Sequence, residues 1–404
     1  MPETFRVPRS RANKTHQMLR DEIMAALEPI LFDDYRNSYA IRAELEAAFA
    51  AEMRKRHAVA AHSGTIALLL ALRACGIGPG DQVITVGNSD ISTTGAISQC
   101  GAIPVLCDVA RSDYTIDVDL VEDLITGKTR AILPVDLHGH PANVRALRPL
   151  ADRHDLKIVE DAALASGACD HGAPVGAFAD VAMFSFAPFK PLGSAGNGAM
   201  LVTSDDSLAD QLRLLVSYGH APTLSPSPKM REGLDTPSLF MGEGAGGWGS
   251  LPPGYQNYIA EGYNVPLDGL QAALLLVKLP YLGEWTRQRR DIVSRLEAGL
   301  ADTSAILPRF RAESRPTFRS YAIAVDRQGE LHQGLRAAGI EAVIHYAPPI
   351  YEYDVYAGMF PERGSLTTTE RLARQIVNLP VTPELTSDDV DYMIEVTRKL
   401  LNNG

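Results

Sequence analysis

The chain has 404 residues, 46% of them hydrophobic and 22% charged, and a net charge of −11. That length accommodates two or more domains around a large buried core, and the acidic balance argues against a nucleic-acid or anionic-membrane partner, which needs a basic face. The first six residues hold no apolar signal core, and Arg73 and Lys278 interrupt the best apolar runs short of the ~18 residues a membrane span requires, so a cytoplasmic protein is expected.

After a polar start, residues 16–27 read as a helix and residues 39–55 as an amphipathic one, with Ile41, Leu45, Ala48 and Phe49 on one face. A short β-run at 58–61 leads through Ser63-Gly-Thr65 into an apolar helix over 66–72. From there strands and helices alternate. Strands are expected at 83–86, 103–107, 131–135, 157–160, 181–186 and 199–203, and helices at 91–99, 117–125, 144–152 and 205–217. Strands that are apolar throughout, alternating with helices, mean a mostly parallel α/β sheet with helices on both faces. Residues 221–254 are rich in Pro, Gly and Ser and read as a long loop, of the kind that serves as a lid or a binding loop. A long helical pattern runs from 267 through 282 to 300, then come a strand at 319–325, a helix at 328–338, a strand at 341–346, and helices at 369–376 and 387–401. This divides the chain into an N-terminal segment with a large domain over 1–285 and a small C-terminal α+β domain over 286–404.

Two of these strands end on charge. Residues 157–161 close on Asp161, and the run Phe184-Ser-Phe-Ala-Pro-Phe-Lys190 places Lys190 in apolar company. Burial depresses a lysine pKa and prepares the amine for Schiff-base chemistry. Pyridoxal phosphate (PLP) asks four things of a protein: a lysine for the imine, a carboxylate for the pyridine nitrogen, a cradle for the phosphate, and a cover for the ring. Lys190 supplies the first, against the competing reading of a surface lysine at a strand end. Asp161 supplies the second, from the strand edge where open α/β sheets bind ligands, against the competing reading of a helix cap. Ser63, Gly64 and Thr65 open a helix directly after a strand, where free amides and the helix dipole attract an anion, and Ser185 adds a hydroxyl. No residue plainly covers the ring. His138 and His140 lie close together but lack acidic or cysteine partners, so no metal is expected. Cys75, Cys100, Cys107 and Cys169 show no C-x-x-C spacing and read as reduced thiols.

Taken in series, His62-Ser-Gly-Thr65, Gly78-Pro-Gly-Asp-Gln-Val-Ile84, Gly139-His-Pro-Ala142, Glu160-Asp-Ala-Ala163, Phe184-Ser-Phe186 with Lys190, Gly262-Tyr-Asn264, His345-Tyr346 and Asn378-Leu-Pro380 resemble the DegT/StrS-type sugar aminotransferase family, of aspartate-aminotransferase-like fold (fold type I). The resemblance implies a PLP enzyme that moves an amino group from glutamate or glutamine to a ketone on a nucleotide-linked sugar or a cyclitol, in secondary-metabolite (antibiotic) or glycan biosynthesis. It implies that Lys190 forms the imine and shuttles the proton, that Asp161 pairs with the pyridinium, and that Gly64, Thr65 and Ser185 hold the phosphate. Asn264 would reach the phosphate of a neighbouring subunit in a homodimer. Arg319, His345 and Tyr346 would line the substrate site, and Tyr218 and His220 face it ahead of the long loop.

Three positions depart from the family pattern. Asp90 stands where an aromatic ring usually stacks on the cofactor, Leu164 replaces a polar residue near its 3-hydroxyl, and Ala187 replaces a common histidine. These departures keep a second chemistry open, PLP-dependent elimination, dehydration or oxidation of an amino substrate.

Overall fold

Short runs of Val, Ile, Ala and Met become strands, and seven of them share one sheet. They are β1 (His57–Ala61), β2 (Gln82–Val86), β3 (Ile103–Cys107), β4 (Thr129–Ile132), β5 (Lys157–Asp161), and, after the two-residue strands β6 (Cys169–Asp170) and β7 (Ala173–Pro174), β8 (Val181–Ser185) and β9 (Ala199–Thr203). In this computed structural model, which describes residues 5–219, 258–360 and 366–402, the sheet order is β1-β9-β8-β5-β4-β2-β3. Neighbours from β8 to β3 are parallel, and β9 alone runs against the rest. Every residue of β8 and β9 is buried, as a sheet covered on both faces requires.

The helices α1 (Ala12–Met18), α2 (Arg20–Glu28) and α3 (Asn37–Glu52) precede the sheet, and α4 (Gly64–Ala74), α5 (Ile91–Gln99), α6 (Val144–Arg153) and α7 (Asp206–Val216) alternate with its strands. From α3, Phe49 meets Phe184 and Phe186 edge-on at 5.2 and 5.4 Å between ring centres. All three rings are fully buried. Truncating one of them to alanine would cost about 3–5 kcal/mol, and the contact fixes the end of β8, from which Lys190 follows five residues on.

A second apolar cluster lies C-terminal to the first. Two antiparallel strands, Ser320–Ala324 and Ile376–Pro380, pack Tyr321, Ile323, Val377 and Leu379 against Ile292 and Leu296 of the Leu282–Leu300 helix and Met393 of the Ser387–Asn402 helix. Val7 belongs to this cluster as well, through a parallel bridge to Ile340. Among the described residues no helix is long and apolar enough to cross a membrane.

Four local expectations change. Residues 117–125 form two 3₁₀ turns, Val118–Leu120 and Glu122–Leu124, because the Asp117 carboxylate takes the Asp119 amide and competes with helical pairing. The helix expected from 267 to 282 ends at Lys278, and Pro280, lacking an N–H, sits in a separate 3₁₀ turn before the next helix begins. The expected strand at 341–346 reduces to one bridge, Val343 with Asn378, since the His345 amide bonds the Asn378 side chain and leaves the ladder. Residue 376 opens a strand where the sequence suggested the last turn of a helix.

Candidate active site

The parallel strands deliver their C-terminal ends to one edge of the sheet, and the candidate residues collect there. β1 runs through Ser63 into α4. Ser63 is the helix N-cap, in extended backbone, yet its hydroxyl makes no capping bond. The first amides of α4 therefore face outward beside a free hydroxyl, and no acidic residue occupies the first turn. Ser185, at the end of β8, adjoins this turn: a Cβ built on Gly64 would lie 3.4 Å from its Cβ. Amides, a helix dipole and two hydroxyls in one place are the donor set a phosphate requires.

Asp161 is 4% exposed at the end of β5. One carboxylate oxygen accepts from the Thr93 hydroxyl at 2.9 Å and the other from the Ala163 amide at 3.2 Å. Ser89 completes a relay, its Oγ 2.7 Å from Thr93 Oγ1. Burial pushes the Asp161 carboxyl pKa up, while the Ala163 amide, the Thr93 hydroxyl and the charge of Lys190 work against that. Thr93 was not legible in the sequence as a site residue. A threonine in the first turn of a helix gives no sign that it will reach a carboxylate 68 residues away.

Lys190 sits in the connection between β8 and β9, half-buried, its amide bonded to the Ala187 carbonyl at 2.9 Å. The connection is pinned from several sides. Phe186 N–H donates to the Gly198 carbonyl at 2.7 Å, and the Ser194 hydroxyl to the Phe186 carbonyl at 2.7 Å. Arg289 donates to the Pro191 carbonyl at 3.2 Å and Lys278 to that of Gly193. Gly193 fits because a Cβ there would stand 2.6 Å from the Pro188 carbonyl oxygen. Burial lowers the Lys190 pKa. Asp161 raises it, Arg319 lowers it further, and Asp90 raises it. The result is an amine closer to neutrality than a surface lysine, within the field of the Asp161 carboxylate.

A cavity opens beyond Lys190, of about 530 Å³ of empty space including its mouth, walled by Arg319, His345, Tyr346, His138, Leu164 and others. Its position comes from the β4 loop and the second cluster meeting: the Arg319 amide donates to the His138 carbonyl at 2.8 Å. Gly139, at φ 88°, permits this approach, since a Cβ there would meet the Leu164 carbonyl oxygen at 2.8 Å. Burial, then Arg319, Arg9 and Lys190, push the His345 pKa down to about 4, so the ring is neutral at physiological pH. Burial lowers the Arg319 pKa to about 10 and raises the Tyr346 phenol.

The remaining described candidates do not line that cavity, although the charge of Asp90 reaches Lys190, Asp161 and His345. Asp90 is the N-cap of α5, exposed, its carboxylate accepting from the Ser92 amide at 2.9 Å. A capping role thus accounts for an acid at a position where the family pattern has a ring. Asn264 is exposed and bridges to Ser217. Tyr218 is 54% exposed at φ 60°. Neither lines the Lys190 cavity. His220 falls outside the described residues.

The donor sets fit PLP: an uncapped phosphate turn, a buried carboxylate held ready by two donors, and a desolvated amine. A family model described as the DegT/DnrJ/EryC1/StrS aminotransferase family matches residues 17–398. The chain is 39% identical, over 98% of its length and 97% of the other protein's, to the dTDP-3-amino-3,4,6-trideoxy-alpha-D-glucose transaminase of Streptomyces venezuelae. It is 33% identical, over 95% of each chain, to the UDP-N-acetyl-3-dehydro-alpha-D-glucosamine 3-aminotransferase of Acidithiobacillus ferrooxidans. The crystal structure of S. venezuelae DesV in complex with a ketimine intermediate superposes with a TM-score of 0.87, at 36% identity and 99% coverage of both chains.

Proposed function

We propose, because the chain belongs to the DegT/DnrJ/EryC1/StrS aminotransferase family, that this PLP-dependent aminotransferase aminates a ketone on a nucleotide-linked sugar, at ring carbon 3, in the cytoplasm. The observation that carries it is Lys190 and Asp161 converging at the sheet edge beside the open turn at Ser63. The choice of carbon draws on the names of the two relatives, each of which specifies a 3-amino or 3-dehydro sugar. Glutamate or glutamine is the donor we infer.

PLP supplies an electron sink that lets a proton leave the carbon bearing the reacting nitrogen. The chain's residues do the rest. Lys190, an amine whose pKa burial lowers, would hold the cofactor at its aldehyde carbon and would accept and return that proton. Asp161, as an anion, would hold a proton on the pyridine nitrogen, with its two oxygens oriented by Thr93 and the Ala163 amide. Ser63, Gly64, Thr65 and Ser185 would anchor the phosphate. Arg319, His345 and Tyr346 line the substrate side, and Leu164 contributes apolar wall. We assign Asn264, exposed and away from its own Lys190 cavity, to the phosphate of a second subunit in a homodimer.

The test is Lys190→Ala and Lys190→Arg. The wild type should hold PLP through borohydride-reducible attachment and convert it to pyridoxamine phosphate with L-glutamate. Both variants should lose the attachment and turnover while keeping the wild-type circular dichroism. Reducible attachment that persists in Lys190→Ala would overturn the assignment.

A further inference from the structure

His138 is the residue at this site that the reading so far leaves without a task. It is 1% exposed, at φ 59°, at the turn where the β4 loop meets the second cluster. Its hydrogen bonds fix its tautomer. The Asn378 side-chain oxygen accepts from the His345 amide at 3.0 Å, which identifies the other end of that side chain as the nitrogen. This nitrogen donates to the Ser320 hydroxyl at 3.1 Å and to His138 Nδ1 at 3.0 Å. Nδ1 is therefore an acceptor, and in the neutral ring the proton resides on Nε2. Burial and the neighbouring His140 and His345 hold the His138 pKa well below its ordinary value, so the ring stays neutral.

Nε2 has no hydrogen-bond partner among the described residues. A buried N–H left unmade is costly, and here Asn378, itself bonded to Ser320 and the His345 amide, holds the other side of the ring. His138 also walls the cavity that contains Lys190. That cavity is walled by Lys190 and by none of Asp161, Ser63, Thr65 or Ser185, so it opens on the Lys190 side, apart from the phosphate turn.

Its charge points to the kind of molecule. Glu341 is the one acidic residue among its walls, and Arg9 engages it, with Nε 3.4 Å from one carboxylate oxygen and the backbone amide donating to the other at 3.0 Å. Among the described residues Arg319 makes no close ion pair with a carboxylate, and Glu341 acts on it only through its charge. A cation and a neutral directed donor facing one cavity suit an oxyanion. An amino acid carries its carboxylate on the carbon that bears the reacting nitrogen, within two bonds of the chemistry. The diphosphate of a nucleotide-linked sugar is separated from the reacting carbon by the sugar ring.

We propose that His138 is a substrate-binding residue whose Nε2–H, aimed by Asn378, donates to the α-carboxylate of the amino donor alongside Arg319. The inference rests on the transaminase reading above. It assigns His138 to the amino-acid half of the reaction, as a residue that selects an amino acid over a simple amine.

The experiment uses the PLP-loaded enzyme and follows the cofactor's visible absorbance during the half-reaction with L-glutamate. His138→Phe should raise the apparent dissociation constant for L-glutamate about ten- to a hundredfold, with a smaller change in the saturating rate and with the PLP content retained. His138→Gln, which keeps an N–H near the Nε2 position, should recover most of the affinity. An unchanged constant in His138→Phe overturns the proposal, as does a His138→Gln variant as weak as His138→Phe. A purely structural role would lower the melting temperature and the PLP content together, and that result overturns it too. A wild type that takes up no PLP would refute the transaminase reading itself, so the two failures are distinguishable.

Discussion

Thr93→Val tests whether the carboxylate at the end of β5 works as an anion. Valine nearly matches threonine in shape, and Thr93 is fully buried, so the change deletes the hydroxyl and little else. The deleted group donates to Asp161 at 2.9 Å and receives Ser89 at 2.7 Å. A hydrogen bond to a charged partner contributes about 1.5–3 kcal/mol, and this one favours the ionised form of a carboxyl that burial already pushes toward protonation. Without it the Asp161 pKa rises further, and less of the free enzyme is ready to hold a pyridinium. PLP affinity at neutral pH should fall about ten- to a hundredfold. The deficit should widen as pH falls, because protonation of Asp161 in the variant sets in at higher pH. Equilibrium dialysis or fluorescence titration of the apoenzyme between pH 6 and pH 9 measures both effects, with Thr93→Ser as the control that retains the hydroxyl. Wild-type affinity in Thr93→Val at every pH would refute the idea that the relay supports a charged Asp161.

Two further outcomes are expected. If the site is shared between subunits, mixing inactive Lys190→Ala with inactive Asn264→Ala after mild unfolding and refolding should restore activity, because each heterodimer carries one site with both native residues; no recovery would place Asn264 outside the partner's site. Burial pushes the Glu160 carboxyl, 2% exposed within β5 and bonded by the Gly176 amide at 2.9 Å, up to about 7. A carboxyl whose folded pKa is raised ionises first in the unfolded chain. Its favourable contribution is therefore complete below about 4.5 and is lost as pH rises to about 7. Wild-type stability in urea should fall across that window relative to Glu160→Gln, whose amide oxygen still receives the Gly176 amide and whose side chain still faces Asp136; parallel pH profiles would contradict the assignment.

Much of the site was readable along the chain because its parts are local. The turn at Ser63–Thr65 lies between one strand and one helix, Asp161 ends a strand, and Lys190 follows an aromatic run that Phe49 locks in place. Each carries its sign in neighbouring residues. Asp90 shows the limit of that kind of reading. An aspartate two residues before a serine is a helix cap by local chemistry, yet motif alignment drew attention to the cofactor instead. The expected strand at 341–346 failed for a different reason. Its alternation is adequate, but the His345 amide is taken by a side chain 33 residues away.

The sequence by itself determined the alternation of apolar strands and amphipathic helices, and with it the covered, mostly parallel sheet whose C-terminal edge carries charge. Period and composition suffice for that, because burial on two faces dictates both. Only the tertiary structure decided which polar groups meet across that edge. Thr93 reaches Asp161, Asn378 aims His138, and Arg319 comes in from the second cluster to wall the cavity beyond Lys190. These contacts join residues 68 to 240 positions apart, and they depend on strand order and on how two cores dock. No period in the chain encodes that, because a hydrogen bond is decided by ångströms in space and not by separation along the backbone.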